Sequence, residues 1–370
     1  MKINKILIVG AGPVGCTVAE TLSTNKVNIT IVDKRKHIAG NCYDYKNKQG
    51  ILVHKYGPHY FRTDNKNIIK YLSNFTKWIK GDYFVKSYYK KELYDFPINL
   101  NTLEKFYKKK FSENSARIFL RKISKIKKKQ NNFEDYLKSK IGVDLYDAFY
   151  KNYTKKQWGL DPRNLSTKLA KRVPLYFDRS RNYIKAKYKL MPKLGFTQMF
   201  KKMIEKKNIN VKLGTLFTSD MLSHYDLVVY TGPVDFFFKY NLGKLKWRSL
   251  DFKFTTKKKS FLQESVQINY PNDFKFTRSV EYKHVTKQKS KFTTISREFP
   301  KSDGEPYYPI NTKENSILYK KYLRKIKPLI KKNIFFCGRL AEYTYINTDE
   351  AINRGLRLAK KIQKIIYKNI

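Results

Sequence analysis

The N-terminal strand, glycine turn and acidic residue constrain this chain more than any other feature. Lys5-Ile6-Leu7-Ile8-Val9 is a β-branched apolar run, and Gly10-Ala11-Gly12-Pro13-Val14-Gly15 follows at once. Asn28-Ile29-Thr30-Ile31-Val32 reads as a second strand that ends on Asp33. A GxGxxG between a strand and a helix, with an acid at the tip of the next strand, is a dinucleotide-binding βαβ unit in its proper context. The first glycine permits a tight turn, the second lets backbone approach a pyrophosphate, and the third lets helix pack on strand. The helix N-terminus then faces the phosphates. Asp33 is placed to accept hydrogen bonds from a ribose lacking a 2′-phosphate. These residues imply FAD or NAD.

At 370 residues there is room for two or three domains with real cores. No uninterrupted apolar run approaches the ~18 residues of a spanning helix, and with the first strand starting at Lys5 no signal peptide is expected. Cys16, Cys42 and Cys337 lie far apart without CxxC or metal-ligand spacing, so they read as packing thiols and imply no metal. The expected compartment is a reducing cytoplasm.

The net charge of +49 raises the question of a polyanion partner. Lysine far outnumbers arginine, and Ile, Asn, Tyr and Phe are also abundant, as A/T-rich codons produce without selection for a partner. Lys108-Lys109-Lys110, Lys127-Lys128-Lys129 and Lys257-Lys258-Lys259 read as solvated faces. The expectation is no specific nucleic acid, with room for weak association with an anionic membrane surface.

From about Leu103 to Trp158 the pattern is helical. Ile118, Ile123 and Ile126 alternate with basic residues, and Phe133, Tyr136, Leu137, Ile141, Leu145 and Phe149 recur at three to four residue spacings. Short apolar runs return at 210–213 and 225–233, and strands of mixed polarity between Lys246 and Phe299 suggest an antiparallel sheet. Asn333 to Arg339 reads as a last buried strand, and Asp349 to Lys368 as an amphipathic helix. The nucleotide domain is therefore assembled from separated segments.

A set of blocks then identifies a resemblance. Gly10 to Gly15, His37-Ile38-Ala39-Gly40-Asn41, His54-Lys55-Tyr56-Gly57-Pro58-His59, and Tyr153-Thr154-Lys155-Lys156-Gln157-Trp158-Gly159 are four of them. Gly304-Glu305-Pro306-Tyr307-Tyr308-Pro309 and Gly338-Arg339-Leu340-Ala341-Glu342-Tyr343 complete the set. Together they resemble the UDP-galactopyranose mutase family nearly end to end. The resemblance implies an α/β fold: a Rossmann-like FAD-binding domain built from separated segments, an inserted α-helical domain and an antiparallel β-sheet domain. On that basis we expect FAD binding from 1–85, 190–238 and 325–370, and a helical domain at 100–168. The sheet domain takes 86–99, 169–189 and 239–324. A homodimer is implied as well.

The resemblance also implies an isomerase that interconverts UDP-galactopyranose and UDP-galactofuranose and supplies furanose sugars for surface polysaccharides. Its chemistry passes through a covalent adduct of the anomeric carbon with N5 of reduced FAD. Cofactor contacts are implied at Gly10, Gly12, Val14, Gly15, Asp33 and Lys34, and at Gly40, Asn41, His59, Tyr60 and Val211. Others follow at Gly338, Arg339, Ile346 and Asn347, and along the last helix at Thr348, Asp349, Glu350 and Ala351. His59 is read as a flavin neighbour that responds to redox state, and Glu305 and Glu342 as structural.

For the UDP-sugar, Arg172, fourteen residues after Trp158, matches a mobile-loop diphosphate arginine. Arg278 matches a second one; guanidinium forks suit two phosphates and a departing UDP. Tyr153 matches an aromatic that stacks on uracil, with Phe149, Thr154 and Asn269 in the same pocket. Trp158, Tyr183, Tyr308 and Tyr345 match positions around the sugar and phosphates.

Three positions depart from the family pattern. Ala39 replaces the first of two glycines, Ile346-Asn347 stands for Tyr-Asp, and Arg62 stands for histidine. Arg62, a long and always charged donor, is expected to contact a 2-substituent, so that UDP-N-acetylgalactosamine is accepted beside UDP-galactose. Two other readings remain open: an amine-oxidase-like flavin oxidoreductase, and a polyanion-binding protein with a vestigial flavin fold.

Overall fold

The structure, a computed structural model, describes residues 2–24, 26–124, 130–172, 174–183 and 186–368. Ile126 and the 127–129 lysine run lie outside the described residues.

Strand β1 (Lys5–Val9) is the centre of a five-stranded parallel sheet. β2 (Asn28–Asp33) pairs on one side and Leu227–Tyr230 on the other, with Ile209–Leu213 and Ile334–Phe336 at the edges. Side chains alternate between faces along a strand. Ile6 and Ile8 therefore enter the larger core, while Leu7 and Val9 enter the one with Phe217 and Tyr230. Both faces are buried, which is why β1 reads as continuously apolar rather than alternating. Helix α1 (Pro13–Leu22) begins with Pro13 in its first turn, where a missing N–H costs nothing. It packs against the terminal helix Thr348–Lys368, whose Ile352, Ala359, Ile362 and Ile366 are buried.

A second sheet has seven strands, in the order Tyr308–Pro309, Trp247–Lys257, Thr293–Lys301, Arg278–Glu281, Gln267–Asn269, Val85–Tyr89, Glu92–Phe96. Its joins are antiparallel except that between Gln267–Asn269 and Val85–Tyr89, which is parallel. The expected antiparallel sheet is therefore mixed at that one join. A third, antiparallel sheet places Phe61–Thr63 and Trp78–Lys80 on either side of Tyr188–Pro192.

The helices Leu100–Tyr107, Glu113–Ile123, Phe133–Tyr146 and Asn152–Trp158, several capped by Asn or Ser side chains at their N-termini, share a core with Val85, Tyr94 and Phe96 at the edge of the second sheet. Gly142, at φ +79°, kinks the third, and a π-helical turn at Asp147–Lys151 leads into the fourth. Leu103, Ala116, Leu137, Ile141 and Leu145 form their core. Ile118 does not join it: it is 67% exposed, on the outer face of its helix.

Four expected boundaries fall inside elements: the breaks after 85 and 168 cut Val85–Tyr89 and Thr167–Ala170, and two more cut a strand and a helix. Position 190 lies within Tyr188–Pro192, which hydrogen-bonds to strands on both sides. Position 325 lies within the helix Lys313–Ile330, whose Tyr322 and Ile326 pack with Val234, Leu245 and Tyr343. Periodicity marks where elements run; where the chain passes from one core to another is decided by packing.

Candidate active site

The glycine turn after β1 is tied back on itself. The Ala11 N–H donates to Asp33 Oδ2 at 2.9 Å and the Arg35 N–H to Asp33 Oδ1 at 2.9 Å. Asp33 thereby joins the tip of β2 to the turn, and a carboxylate's four acceptor positions leave two for ribose hydroxyls. The Ala39 N–H donates to Ala11 O at 2.8 Å, which brings Gly40 against Gly12. A Cβ on Gly40, at φ +55°, would stand 3.0 Å from Gly12 Cα. A Cβ on Gly15 would meet Gly10 O at 1.9 Å. This narrow cradle of bare backbone at the start of α1 fits a pyrophosphate. Ala39 itself holds a left-handed φ of +70°.

Other expected cofactor residues surround that cradle. Lys34 pairs with Glu305 at 2.7 Å, and Arg35 reaches the same carboxylate at 3.3 Å, so Glu305 fastens the second sheet to the tip of β2. Glu342 accepts from the Gly338 N–H at 2.8 Å and pairs with Arg354 at 2.6 Å. Arg339 donates to Ile346 O at 2.6 Å and Tyr307 O at 3.3 Å. Glu350 accepts from the Asn347 N–H at 2.7 Å and caps the terminal helix. Val14 is buried against the turn. Val211 lies on the edge strand beside Ile31.

Next to the cradle is a cavity, and eleven of the expected residues line it: Asn41, His59, Tyr60, Arg62, Tyr183, Arg278, Tyr308, Arg339, Tyr345, Asn347 and Thr348. Among the described residues its lining has no carboxylate. Tyr153 is not in the lining, but its phenol feels the charge of Arg278 and the rings of Tyr183 and Tyr308. Trp158 stands 6.1 Å from Tyr308, ring centre to ring centre. Arg172 lies over the Tyr345 ring at 4.4 Å, with Arg339 at 4.8 Å from the same ring.

Three expected contacts, Phe149, Thr154 and Asn269, are not part of that lining. Phe149 is 2% exposed and packs among Tyr89, Tyr94 and Phe106 in the helical core. Thr154 is buried in the following helix. Asn269 is buried too, and its Oδ1 accepts from Gln267 Nε2 at 2.7 Å. A three to four residue apolar period does not say which of its members face a pocket and which the core.

Sequence reasoning missed Tyr56, Tyr83, Asn182, Lys189, Gln267 and Tyr307, which also line the cavity. Tyr56 and Tyr307 sit inside two of the quoted blocks, so a signal was present. Lys189 is one lysine among many, and only strand register reveals it.

Burial governs the electrostatics. It opposes the charge on Arg278, and Glu298 more than offsets it, leaving the guanidinium pKa raised. The same burial pushes the Glu298 carboxyl up against the pull of Arg278. The two groups pair directly at 2.7 Å. Burial also raises Tyr153 and Tyr183, and Tyr308 to about 12, so these phenols remain donors.

His59 is held neutral. Burial, with the charges of Arg339 and Arg278 nearby, pushes it down to about 3. Its Nδ1 lies 3.0 Å from Gly57 O, where only the protonated nitrogen can bond, and its backbone N–H donates to His54 Nδ1 at 2.9 Å.

A Rossmann-like α/β protein with a dinucleotide cradle, opening beside a carboxylate-free cavity of arginines and tyrosines, is an enzyme built for nucleotide chemistry. The N-terminal region matches a family described as NAD(P)-binding Rossmann-like domain over residues 8–75, and residues 148–345 match the family described as UDP-galactopyranose mutase. The chain belongs to the UDP-galactopyranose mutase family of isomerases. A dTDP-fucopyranose mutase of Escherichia coli is 34% identical over 97% of this chain and 98% of its own length. A probable UDP-galactopyranose mutase of Klebsiella pneumoniae is 35% identical over 97% and 94%. A crystal structure of reduced UDP-galactopyranose mutase superposes with a TM-score of 0.75 over 98% of this chain and 96% of that one, at 15% identity. Among the described residues no helix is long and apolar enough to cross a membrane, and no cluster of three or more His, Cys, Asp or Glu side chains is arranged to hold a metal.

Proposed function

We propose that this protein interconverts UDP-galactopyranose and UDP-galactofuranose with FAD as cofactor, supplying furanose residues for surface polysaccharides. The observation that carries the reading is the gathering of Arg278, Tyr183, Tyr308, Tyr345 and His59 in one carboxylate-free cavity beside the dinucleotide cradle. FAD fits the residues present: the Gly10–Gly15 turn and Gly40 would take its pyrophosphate, and Asp33 its ribose. His59, Asn347 and Arg339 would border the flavin. When bound and reduced, FAD supplies through N5 the nucleophile for the anomeric carbon.

The chain's own groups do the rest. Arg278, anchored by Glu298, holds the diphosphate and stabilises the charge that grows on UDP as its bond to the sugar breaks. Arg172 leaves its seat on Tyr345 to grip the same phosphates from the outside. The Tyr308 and Tyr345 hydroxyls orient the phosphates and sugar, and Tyr153 stacks on the base. His59, neutral with a proton on Nδ1, presents Nε2 as an acceptor rather than a strong base.

The dTDP-fucopyranose mutase relative is about as similar as the UDP-galactopyranose mutase relative, at 34% and 35% identity, so the choice of nucleotide sugar belongs to the test. Anaerobic incubation with UDP-galactofuranose, with and without dithionite, followed by chromatography, decides it. UDP-galactopyranose formed only under reduction supports the reading. An untouched sugar with reduced, flavin-loaded enzyme refutes it, and dTDP-fucopyranose is then the next substrate.

A further inference from the structure

The cavity carries a second positive centre that a diphosphate does not explain. Arg62, on the strand Phe61–Thr63, is the direct cross-strand partner of Lys189 on Tyr188–Pro192. Directly opposed residues of an antiparallel pair project from the same face with Cβ atoms about 5 Å apart, and like charges so placed repel. Both side chains line the cavity. Lys189 Nζ is held by Asp82 at 3.1 Å and Asn182 at 2.8 Å. Arg62 donates to Asn347 Oδ1 at 3.3 Å and makes no ion pair among the described residues.

The surrounding acids do not remove this charge. Asp349 is within electrostatic reach of Arg62, but its side chain bonds Thr63. Glu298 is committed to Arg278, and Asp82, the partner of Lys189, is more than half exposed. Tyr183 feels both Arg278 and Arg62, so the two centres address one space from two different sheets. Arg278 with Arg172 already answers a diphosphate. An adjacent Arg–Lys pair remains, in which Lys189 is paired with Asp82 and the Arg62 charge has no ion pair among the described residues.

We propose that Arg62 and Lys189 form a subsite for a carboxylate on the hexose, so that UDP-hexuronates are ligands of this enzyme. The proposal rests on the sugar-nucleotide reading above and deepens it. A carboxylate offers two oxygens and about four acceptor positions, matched by the planar fork of Arg62 and the free third donor of Lys189. The expectation from the sequence, that Arg62 reads an N-acetyl group, considers Arg62 alone. A neutral carbonyl needs one donor and gives no reason for a second cation one strand away.

The test is calorimetric binding of UDP, UDP-galactose, UDP-N-acetylgalactosamine and UDP-galacturonate to the flavin-loaded enzyme and to Arg62→Gln and Lys189→Gln. The expected result is that UDP-galacturonate binds the unsubstituted enzyme more tightly than UDP-galactose. Each substitution then costs UDP-galacturonate about tenfold and moves UDP and UDP-galactose by less than about twofold. Equal losses for UDP-galactose and UDP-galacturonate overturn the proposal, as does a loss selective for UDP-N-acetylgalactosamine. Failure of the unsubstituted enzyme to bind UDP at all overturns the sugar-nucleotide reading instead. UDP affinity also reports whether each variant has folded.

Discussion

Arg278 Nε lies 2.7 Å from Glu298 Oε2, and the Glu298 side chain has no exposed surface. The two residues face each other across neighbouring strands, in register. Glu298 thus sets the direction of the guanidinium and supplies the countercharge that lets it remain charged when no phosphate is bound.

Removing one member of such a pair strands the other. Glu298→Ala is expected to lower stability by about 3–5 kcal/mol, and Glu298→Gln, which keeps an acceptor, by less. Urea unfolding of the two variants measures this. A loss under about 1 kcal/mol for Glu298→Ala would mean the pair behaves like a solvent-screened surface bridge.

Acid should weaken the fold before its carboxylates titrate. Burial pushes His54 and His59 down to about 3, from about 6.5 in the unfolded chain. Between those values the unfolded state binds more protons, so stability is present above pH 6.5 and is lost as the pH falls toward 3. Each ring contributes a slope approaching about 1.4 kcal/mol per pH unit. Unfolding measured between pH 6.5 and 5 should show this, and His54→Gln should reduce the slope. An unchanged slope in the variant contradicts the assignment.

Gly40→Ala tests the cofactor cradle. An L side chain at φ +55° costs about 1–2 kcal/mol, and its Cβ would press on the Gly12 backbone where a pyrophosphate approaches. The variant should purify with less flavin than the unsubstituted protein, read by visible absorbance, and bind added FAD more weakly. Full flavin retention would show that the cradle tolerates a side chain.

Lys156 ties the helix bearing Tyr153 and Trp158 to the second sheet. Its Nζ donates to the Tyr270, Phe274 and Phe276 carbonyls, the last two at 2.8 and 3.2 Å. Lys156→Met leaves those carbonyls without this donor and should cost about 1–3 kcal/mol of stability. It should also raise KM for the UDP-sugar more than it lowers kcat, because the helix that bears Tyr153, proposed to stack on the base, loosens. An effect on kcat alone argues against that placement.

Much was legible from local chemistry. The βαβ unit announces itself because glycine spacing, an apolar run and an acid at a strand tip are short-range requirements of one turn. Arg278 was found through Phe276-Thr277-Arg278, and Tyr308 through Gly304 to Pro309. The place of Phe149 was not legible, because its helical period is the same whether the ring faces a pocket or, as here, three other aromatic rings. Glu298 carried no signal, since nothing near it in sequence says that it lies beneath an arginine twenty residues away.

The sequence by itself determined the dinucleotide fold and the family and pointed to Arg172 and Arg278, because each is written in contiguous residues with their own conformational or chemical demands. The tertiary structure alone decided the partners: Glu298 under Arg278, Lys189 beside Arg62, and Lys156 among three carbonyls. Those pairings depend on strand register and on how separate sheets close over one cavity. They are long-range relations, and any one lysine or glutamate among so many looks the same until the chain has folded.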